Sequence, residues 1–491
     1  MQNTEENYDV IIVGGGASGL YTALNLDKSL KVLLLSKREL TLSNSSLAQG
    51  GIAAVWDRKI DSPEDHIQDT LIAGGFKNDK EHVEILVNEG PNDVQKLIDY
   101  GVEFDSNSDG TPHLTLEGGH SKSRILHYKD STGKEIVDKL IIAVKALDNV
   151  TILSNHIVCD ISSTNQETGQ TFHLDVLDSD NGHTTFHAHY VVMCTGGIGR
   201  VYEYTTNSAI ATGDGIALSY RLGAEIKNLH LVQFHPTAFA NKNTRESFLI
   251  SESVRGEGAY LLNCNHERFM HRYDDRLELA PRDVVSRSII EEARITGSND
   301  FYLDITHKDA QFIRNRFPMI YSSLLHEGYD LTKDSIPIFP CQHYLMGGIN
   351  VDGNSKTSMD GLYACGECSH TGVHGINRLA SNSLLEAVVF SRRCANEINS
   401  LAKDKHNGFD TYQFDSDKNS NDIRHGIRTE IRSIMQNSHF VTPNKDEAIK
   451  GYHRICELLK EIDDGNYRVT RDLVEAKSLA TIAYLILKEV I

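Results

Sequence analysis

Four polar side chains in the middle and later parts of the chain are suited to binding carboxylates. They are the imidazoles of His235 and His343, the guanidinium of Arg378 and the hydroxyl of Ser251. A dicarboxylate needs cationic or hydrogen-bonding groups at both of its ends, and this set can supply them. Each histidine taken alone is equally well explained as a hydrogen-bonded structural residue. As a set, the four side chains indicate a pocket for a small dicarboxylate.

An isolated carboxylate, Glu117, lies in the segment LEGGH, whose surroundings are rich in His, Ser, Arg and Lys. Beside a substrate that brings only negative charge, this carboxylate would repel the substrate and weaken its binding. It is favourable if the substrate also carries an ammonium group, as aspartate does relative to succinate. The alternative interpretation is an exposed loop residue next to two glycines.

The elements that must position these residues begin with a nucleotide-binding unit. An apolar strand from Tyr8 to Val13 is followed by Gly14, Gly16 and Gly19 in the spacing GxGxxG, and then by a helical pattern. Such glycines let the backbone turn tightly and approach a pyrophosphate at a helix N-terminus. A purely structural glycine turn is the alternative, but the position directly after the first strand favours a dinucleotide site.

The second strand of this unit ends in Ser36 and Lys37, where an acidic residue usually binds the ribose. Ser36, Lys37 or Glu39 has to replace that contact. Two further glycine-rich strand ends follow, VVMCTGGIG at 191–199 and GLYACGECSHTGVHG at 361–375. A late strand of this kind is typical of flavoproteins with two dinucleotide folds, so the combination predicts FAD.

The chain has 491 residues, which predicts two or three domains. The predicted fold class is α/β, with a doubly wound, Rossmann-like FAD-binding domain, an inserted α+β capping domain and a C-terminal helical bundle. We expect these domains at 1–228 with 344–400, at 229–343 and at 410–491, respectively. The polar segment 403–421 predicts a linker, and apolar residues at helical spacing after it, including Ile449, predict the bundle.

Composition disfavours several functions. Lys and Arg number 49 against 68 Asp and Glu, a formal net charge of −19, which opposes nucleic-acid or anionic-membrane binding as the main function. No apolar run reaches the roughly 18 residues of a membrane helix, and the first residues lack the pattern of a secretory signal. The eight cysteines form no small disulfide framework, so we expect a cytoplasmic protein.

Two groups of residues invite interpretations that we consider weaker. His183, His187 and His189 have no acidic or cysteine partner nearby in the sequence, so a solvated strand face is favoured over a metal site, and no metal is predicted. Cys365 and Cys368 form a CxxC pair without a thioredoxin-like setting. Neither group is expected to carry the chemistry.

A series of motifs resembles the succinate dehydrogenase/fumarate reductase flavoprotein family in order and spacing, from about residue 8 to 395. The motifs are NSSLAQGG (44–51), GDGIA (213–217), QFHPTA (233–238), ESVRGEGAYL (252–261), LAPRDVVSR (279–287), HYLMGGI (343–349) and NRLASNSLLEAVV (377–389). Respiratory members carry a histidine joined covalently to FAD where this chain has Asn44. The resemblance therefore implies FAD held non-covalently. Its implied contacts are Gly14, Gly15, Gly16, Ala17, Ser18, Gly19, Lys37, Asn44, Ser45, Ser46, Leu47, Ala48, Gln49, Gly50, Gly51, Thr195, Gly196, Gly197, Asp214, Glu367, Ser383 and Leu384.

The resemblance also implies roles in catalysis. Arg282 matches the acid/base arginine of the family, and because an arginine stays protonated it needs a relay to recover its proton. Glu252 and Arg255, three positions apart and so on one helical face, match that relay, with a surface ion pair as the alternative. The implied substrate contacts are His235 with Ser251 at one carboxylate, His343 with Arg378 at the other, and Glu117 at an ammonium group.

The segments EGGH and LAQGGIAAV (47–55) resemble the branch of the family that acts on an amino acid. The implied activity is oxidation of L-aspartate to iminoaspartate, with hydride transfer to flavin N5 and reoxidation by oxygen, giving H2O2, or by fumarate. This is the first step of de novo NAD biosynthesis, and quinolinate synthase is the expected partner for the product. A soluble fumarate reductase or succinate oxidase and a non-catalytic FAD-binding protein are the alternatives.

Overall fold

The computed structural model describes residues 5–166, 169–241, 244–403, 408–410, 412–414 and 421–491. Most of the expected linker, 403–421, lies outside the described residues. The helices are α1 (Ala17–Asn25), α2 (Pro63–Ala73), α3 (Lys80–Asp99), α4 (Thr132–Lys145), α5 (Asp214–Leu222), α6 (Glu252–Gly256), α7 (Arg282–Thr296), α8 (Ala310–Arg316), α9 (Pro318–His326), α10 (Asn382–Leu401), α11 (Ile427–Ser438), α12 (Lys445–Asp464) and α13 (Arg471–Val490).

The strands form four sheets. They are β1 (Glu5–Val13), β2 (Val32–Ser36), β3 (Ile52–Ala53), β4 (Leu114–Thr115), β5 (Ile125–Leu126), β6 (Val150–Ser154), β7 (Ile157–Gln166), β8 (Gly169–Leu177), β9 (His183–Met193), β10 (Ile226–Lys227), β11 (Val232–Phe239), β12 (Tyr260–Leu262), β13 (Phe301–Asp304), β14 (Ile336–Leu345), β15 (Gly348–Asn350), β16 (Leu362–Ala364) and β17 (Ser369–His370). The largest sheet has the order β6-β2-β1-β9-β8-β7, with β16 beside β9.

The three glycine-rich strand ends lie side by side at one edge of the largest sheet. Strands β1, β9 and β16 are parallel, and Val13 and Ala364 are both in register with Met193. Carboxyl ends of neighbouring parallel strands are where α/β folds bind their ligands. The strand-turn-helix unit predicted for the start of the chain is confirmed as β1, α1 and β2.

A second, antiparallel sheet has the order β11-β14-β13-β12. The buried apolar side chains around it, from Phe239 to Ile338, form a hydrophobic cluster separate from those of the large sheet. A separate core is what an inserted domain needs. The domain boundaries themselves remain a prediction.

The C-terminal helices α11, α12 and α13 pack against one another, and α13 also packs on α5. Their apolar side chains join the hydrophobic cluster on one face of the large sheet, so this segment shares its core with the nucleotide-binding part. The predicted helical pattern holds, but Ile449 is 39% exposed and Ala448 is buried in its place. The buried face of α12 therefore starts one residue before the position predicted from the sequence.

The expectation of a solvated face for His183, His187 and His189 is wrong for the last two, and His183, which is partly exposed, does have an acidic partner, Asp175, at 2.9 Å. His187 and His189 are 1% and 6% exposed, because the segment after α10 covers this part of the sheet. The ring of Phe409 stacks on His189 with the centroids 4.3 Å apart, and that of Tyr412 stacks on His173 at 5.0 Å. A polar-looking strand was thus buried by aromatic residues more than 200 positions later in the chain.

No helix within the described ranges is both long enough and apolar enough to cross a membrane.

Candidate active site

One cavity of about 740 Å³ joins the glycine-rich strand ends to the predicted dicarboxylate pocket. Its size is within the range of cofactor and ligand sites. The predicted residues that line it are Gly14, Gly15, Gly16, Ala17, Ser18, Lys37, the whole of 44–51, Thr195, Gly196, Asp214, Glu367, Ser383 and Leu384 at one side, and Glu117, His235, Ser251, Glu252, Arg282, His343 and Arg378 at the other.

Three predicted residues, Gly19, Gly197 and Arg255, do not line the cavity but contact residues that do. A Cβ atom on Gly19 would lie 1.9 Å from the Gly14 carbonyl oxygen, so this glycine is needed for α1 to pack against the loop. A Cβ atom on Gly197 would lie 2.2 Å from a Glu367 carboxylate oxygen. Arg255 lies behind Glu252, which separates it from the cavity.

The glycine loop fits a dinucleotide. Gly14 has φ of 124°, and a Cβ atom there would lie 2.1 Å from the Cys194 carbonyl oxygen, so only glycine is tolerated. Gly16 at the N-cap of α1 has no side chain to cap the helix, the Ala17 N–H donates to the Ser45 hydroxyl at 3.3 Å, and no acidic residue lies in the first turn. The positive end of the helix therefore favours an anion such as a pyrophosphate.

Lys37 directly follows β2, where related folds usually have an acidic residue that binds the ribose. In this structure its side chain pairs with carboxylates from two other elements. Its Nζ lies 2.8 Å from Asp214 Oδ2 and 2.9 Å from Glu475 Oε1 on α13. A carboxylate is thus present there after all, supplied by α5. Glu39 instead accepts a hydrogen bond from Asn155 and does not line the cavity.

Asn44 occupies the position of the covalently attached histidine of respiratory relatives. Its Oδ1 accepts hydrogen bonds from the backbone N–H and the hydroxyl of Ser208, at 3.0 and 3.1 Å. An amide offers no nucleophile for a bond to the flavin, so the cofactor is held non-covalently. Nearby Glu367 is partly exposed to the cavity, and loss of solvation raises the pKa of its carboxyl to about 7.

Arg282, Glu252 and Arg255 form a buried chain of charges. Arg282 Nε donates to Glu252 Oε2 at 2.6 Å, and Arg255 Nη2 lies 3.4 Å from Glu252 Oε1. Burial acts to raise the pKa of Glu252, but the charges of the two arginines outweigh it and hold the pKa below its usual range. The alternative of a surface ion pair is wrong, since Glu252 and Arg255 are both buried. The three side chains form a continuous chain of buried charges that ends at Arg282 in the cavity.

The two predicted histidines are neighbours in this cavity, with ring centroids 5.0 Å apart. Burial and the nearby Arg282 charge lower the pKa of both His235 and His343 well below the usual value, so both are neutral near pH 7. The Thr237 N–H donates to His235 Nδ1 at 3.3 Å. The proton of His235 is therefore on Nε2, which has no partner among the described residues and is available to a ligand.

Arg378 is held over an aromatic ring. Its guanidinium carbon lies 4.1 Å from the centroid of Tyr344, and its Nη1 donates to Ser383. Tyr344 in turn donates to the buried carboxylate of Glu386 at 2.8 Å. Burial lowers the pKa of Arg378 to about 10, which leaves it cationic at neutral pH.

Glu117 is 4% exposed and faces the same cavity, so the interpretation as a surface loop residue is wrong. Its Oε2 accepts a 2.6 Å hydrogen bond from Ser381, which has a left-handed φ of 60°. Burial raises the pKa of Glu117. The hydrogen bond from Ser381 acts to lower this pKa, and the negative charge of Glu252 acts to raise it. A Cβ atom on Gly118 would lie 2.1 Å from Glu252 Oε1. A glycine is thus required between Glu117 and the relay.

A fully buried arginine fixes the loop that carries Glu117, between β4 and β5. Arg124 makes two 2.8 Å hydrogen bonds to Asp61, one to Asp69 at 2.5 Å and one to His120 Nδ1 at 2.9 Å. His120 Nε2 bonds the Ala380 carbonyl at 2.9 Å. Because Nδ1 accepts from a guanidinium, His120 must be neutral.

The free energy of unfolding is expected to fall as the pH is lowered from about 6.5 towards 4. Burial lowers the pKa of His66 to about 3 and that of His120 and His439 to about 4. In this window the unfolded chain binds protons that the folded chain does not, so each histidine contributes a slope of at most about 1.4 kcal/mol per pH unit. Urea unfolding at pH 7, 6 and 5 measures the slope. The slope should be smaller in His120→Asn, and an unchanged slope would contradict the assignment.

Sequence reasoning missed Tyr344, Ser381 and Gln233, although each lies within or beside a quoted motif. Tyr344 follows His343, Ser381 follows Arg378 by three positions, and Gln233 begins QFHPTA. Their roles depend on contacts between distant segments, which residue type does not indicate. The only signal was their place in the motifs.

Comparison with known proteins identifies the class of protein. The family described as FAD binding domain matches residues 9–384. A solved structure of E. coli quinol fumarate reductase superposes with a TM-score of 0.89 at 28% identity, covering 99% of this chain and 89% of that one. A quinol-fumarate reductase with menaquinol molecules gives the same TM-score and identity, covering 99% and 90%. The fold and the cavity thus define an FAD-dependent flavoprotein with the fumarate reductase fold, which confirms the predicted fold class and cofactor.

Two sequence relatives narrow the class. L-aspartate oxidase of Acinetobacter baylyi is 41% identical, over 99% of this chain and 91% of the relative. L-aspartate oxidase of Clostridium perfringens is 48% identical, over 80% and 87%. The chain belongs to the L-aspartate oxidase family.

Proposed function

We propose that the protein oxidises L-aspartate to iminoaspartate with non-covalently held FAD. The observation that carries this proposal is the buried carboxylate of Glu117, which faces the same cavity as the carboxylate-binding groups. A buried carboxylate is unfavourable beside a simple dicarboxylate but pairs well with an ammonium group. Family membership supports the same conclusion.

The chain's own residues hold the substrate at three points. His235 Nε2–H and the Ser251 hydroxyl bind one carboxylate, and His343 with cationic Arg378 binds the other. Glu117 binds the ammonium group through Oε1, because its Oε2 is already bonded to Ser381. Three contacts on one small molecule fix its orientation, which selects the L enantiomer.

Oxidation removes a hydride and a proton from the substrate, and the proton is assigned to Arg282, which can accept it only as its own proton passes to Glu252. Glu252 bonds it directly and Arg255 stands behind Glu252, so the arginine can exchange a proton with a chain of buried charges. FAD, when bound, supplies the hydride acceptor. Strands β11 and β14 of the antiparallel sheet carry His235 and His343 into the wall of the same cavity.

Oxygen, giving H2O2, or fumarate is the proposed acceptor for the reoxidation of the cofactor. The fumarate reductase fold and a pocket for dicarboxylates support fumarate as one of the two. The product is an unstable imine, so we propose that quinolinate synthase takes it up, in the first step of NAD biosynthesis.

The direct test is anaerobic reduction of the flavin. The purified protein is loaded with FAD and mixed without oxygen with L-aspartate, D-aspartate or succinate, and the flavin absorbance is followed. L-aspartate alone is expected to bleach it. Bleaching by succinate but not by L-aspartate would indicate a fumarate reductase, and no bleaching with any of the three would indicate a non-catalytic FAD-binding protein.

A further inference from the structure

We infer that Gln233 is a positioning residue that holds two arginines of the active site, Arg282 and Arg378, in one fixed arrangement. The inference deepens the proposed function, because it rests on the roles given there to the two arginines. Gln233 is buried but does not line the cavity, so it acts through the arginines and not on the substrate.

A single amide oxygen joins the two guanidinium groups. Gln233 Oε1 accepts from Arg282 Nη1 at 2.9 Å and from Arg378 Nε and Nη2 at 3.3 and 3.2 Å. Strand β11 has a register irregularity against β14 directly after Gln233. Irregularities of this kind re-aim a side chain at active sites. The strand is thus shaped to direct this amide between the arginines.

The hydrogen-bond network fixes which end of the amide faces the arginines. Gln233 Nε2 lies 2.9 Å from the Arg378 carbonyl oxygen, which can only accept. Nε2 also donates to Asn377 Oδ1 at 2.8 Å, and Asn377 Nδ2 donates to the carboxylate of Asp283 at 3.0 Å. Both constraints require the nitrogen on that side. The oxygen must therefore face the guanidinium groups.

The shared oxygen reduces the electrostatic repulsion between the two arginines. Two guanidinium cations repel each other in a buried site, and an acceptor between them offsets part of that repulsion. The other side-chain hydrogen bonds of Arg282 and Arg378 are separate, to Glu252 and to Ser383, so among the described residues Gln233 is the side chain that bonds both guanidinium groups. Arg282 comes from the antiparallel part of the chain and Arg378 from the segment before α10. The bond of Asn377 to Asp283 holds the two backbone segments together, and Gln233 holds the two guanidinium groups at their ends.

The test replaces Gln233 by methionine, which has a similar length but makes no strong hydrogen bond. The rate of anaerobic flavin reduction by L-aspartate is expected to fall about tenfold to 100-fold, since misplacement by about 1 Å costs this much. The dissociation constant of succinate, measured from the change in the flavin spectrum, is expected to rise as Arg378 loses its anchor. The succinate measurement reports on Gln233 even if L-aspartate does not reduce the wild-type protein, which separates the two proposals.

A matched control and a double-mutant cycle distinguish positioning from general destabilisation. Asn263→Leu removes another buried amide, bonded to Glu292 and outside the cavity, and should leave the rate and the succinate affinity unchanged. In an Arg282→Lys background, Gln233→Met should reduce the rate by much less than in the wild type, because the two residues act as a unit. Fully additive effects, or equal effects of the two amide variants, would overturn the inference.

Discussion

Replacing Arg282 by alanine is expected to reduce turnover of L-aspartate about 10²-fold to 10⁴-fold, the usual contribution of a positioned acid or base. The physical reason is that Arg282 is the terminal cation of the buried chain of charges, and it lines the cavity together with Glu252, beside the groups proposed to bind substrate. Substrate binding should largely persist, because other side chains hold the carboxylates and the ammonium group. Stopped-flow reduction of the flavin gives the rate, and titration with succinate gives the binding.

Arg287→Ala is the matched control for this variant. Arg287 lies on the same helix, α7, and pairs with Asp283 on the surface with 60% of its side chain exposed. Removing it should leave the rate unchanged, since exposed pairs of this kind contribute little. Full turnover in Arg282→Ala would show that the proton is transferred by another group.

Exchange of Glu117 for glutamine is expected to weaken the reaction with L-aspartate selectively, while succinate still binds. Glutamine keeps an oxygen for the hydrogen bond from Ser381 but loses the charge that pairs with the ammonium group. Removing one partner of a buried charge pair costs about 2–5 kcal/mol, so kcat/KM for L-aspartate should fall about 30-fold or more. Binding of succinate should be unchanged or tighter, because a repulsive charge has been removed.

The quantity to measure is the change in kcat/KM for L-aspartate, per flavin-loaded protein, set against the change in the dissociation constant of succinate. Glu292→Gln is a suitable comparison, since this carboxylate is also buried but lies outside the cavity. It should leave both constants as in the wild type. Equal losses for both ligands in Glu117→Gln would mean that Glu117 supports the loop and does not recognise the ammonium group.

The sequence was most informative where chemistry is carried by short motifs. The spacing of Gly14, Gly16 and Gly19 after an apolar strand requires a particular local backbone, so the strand, loop and helix could be predicted. The isolated charge of Glu117 led to the prediction of a ligand with an ammonium group, because a carboxylate beside bound substrate needs a cationic partner. The structure places Glu117 in the cavity, and its role there stays a prediction.

Other features depend on contacts between distant segments, and local pattern could not predict them. Lys37 was noted as a departure, but its partner Glu475 lies near the other end of the chain. The burial of His187 and His189 depends on aromatic residues after α10. The bonds of Gln233 to two arginines exist only because a strand irregularity aims its amide between them.

The contact between Lys37 and Glu475 ties the last helix of the chain to the cofactor cavity. Lys37 and Asp214 line one end of that cavity, while Glu475 belongs to α13 and is also paired with Arg428 on α11. By thermodynamic linkage, a ligand that stabilises this arrangement also stabilises the docking of α13. The docking of the C-terminal helices is therefore expected to depend on whether flavin is bound. In the apoprotein these helices should be cleaved by proteases and exchange their amide hydrogens faster than in the flavin-loaded enzyme.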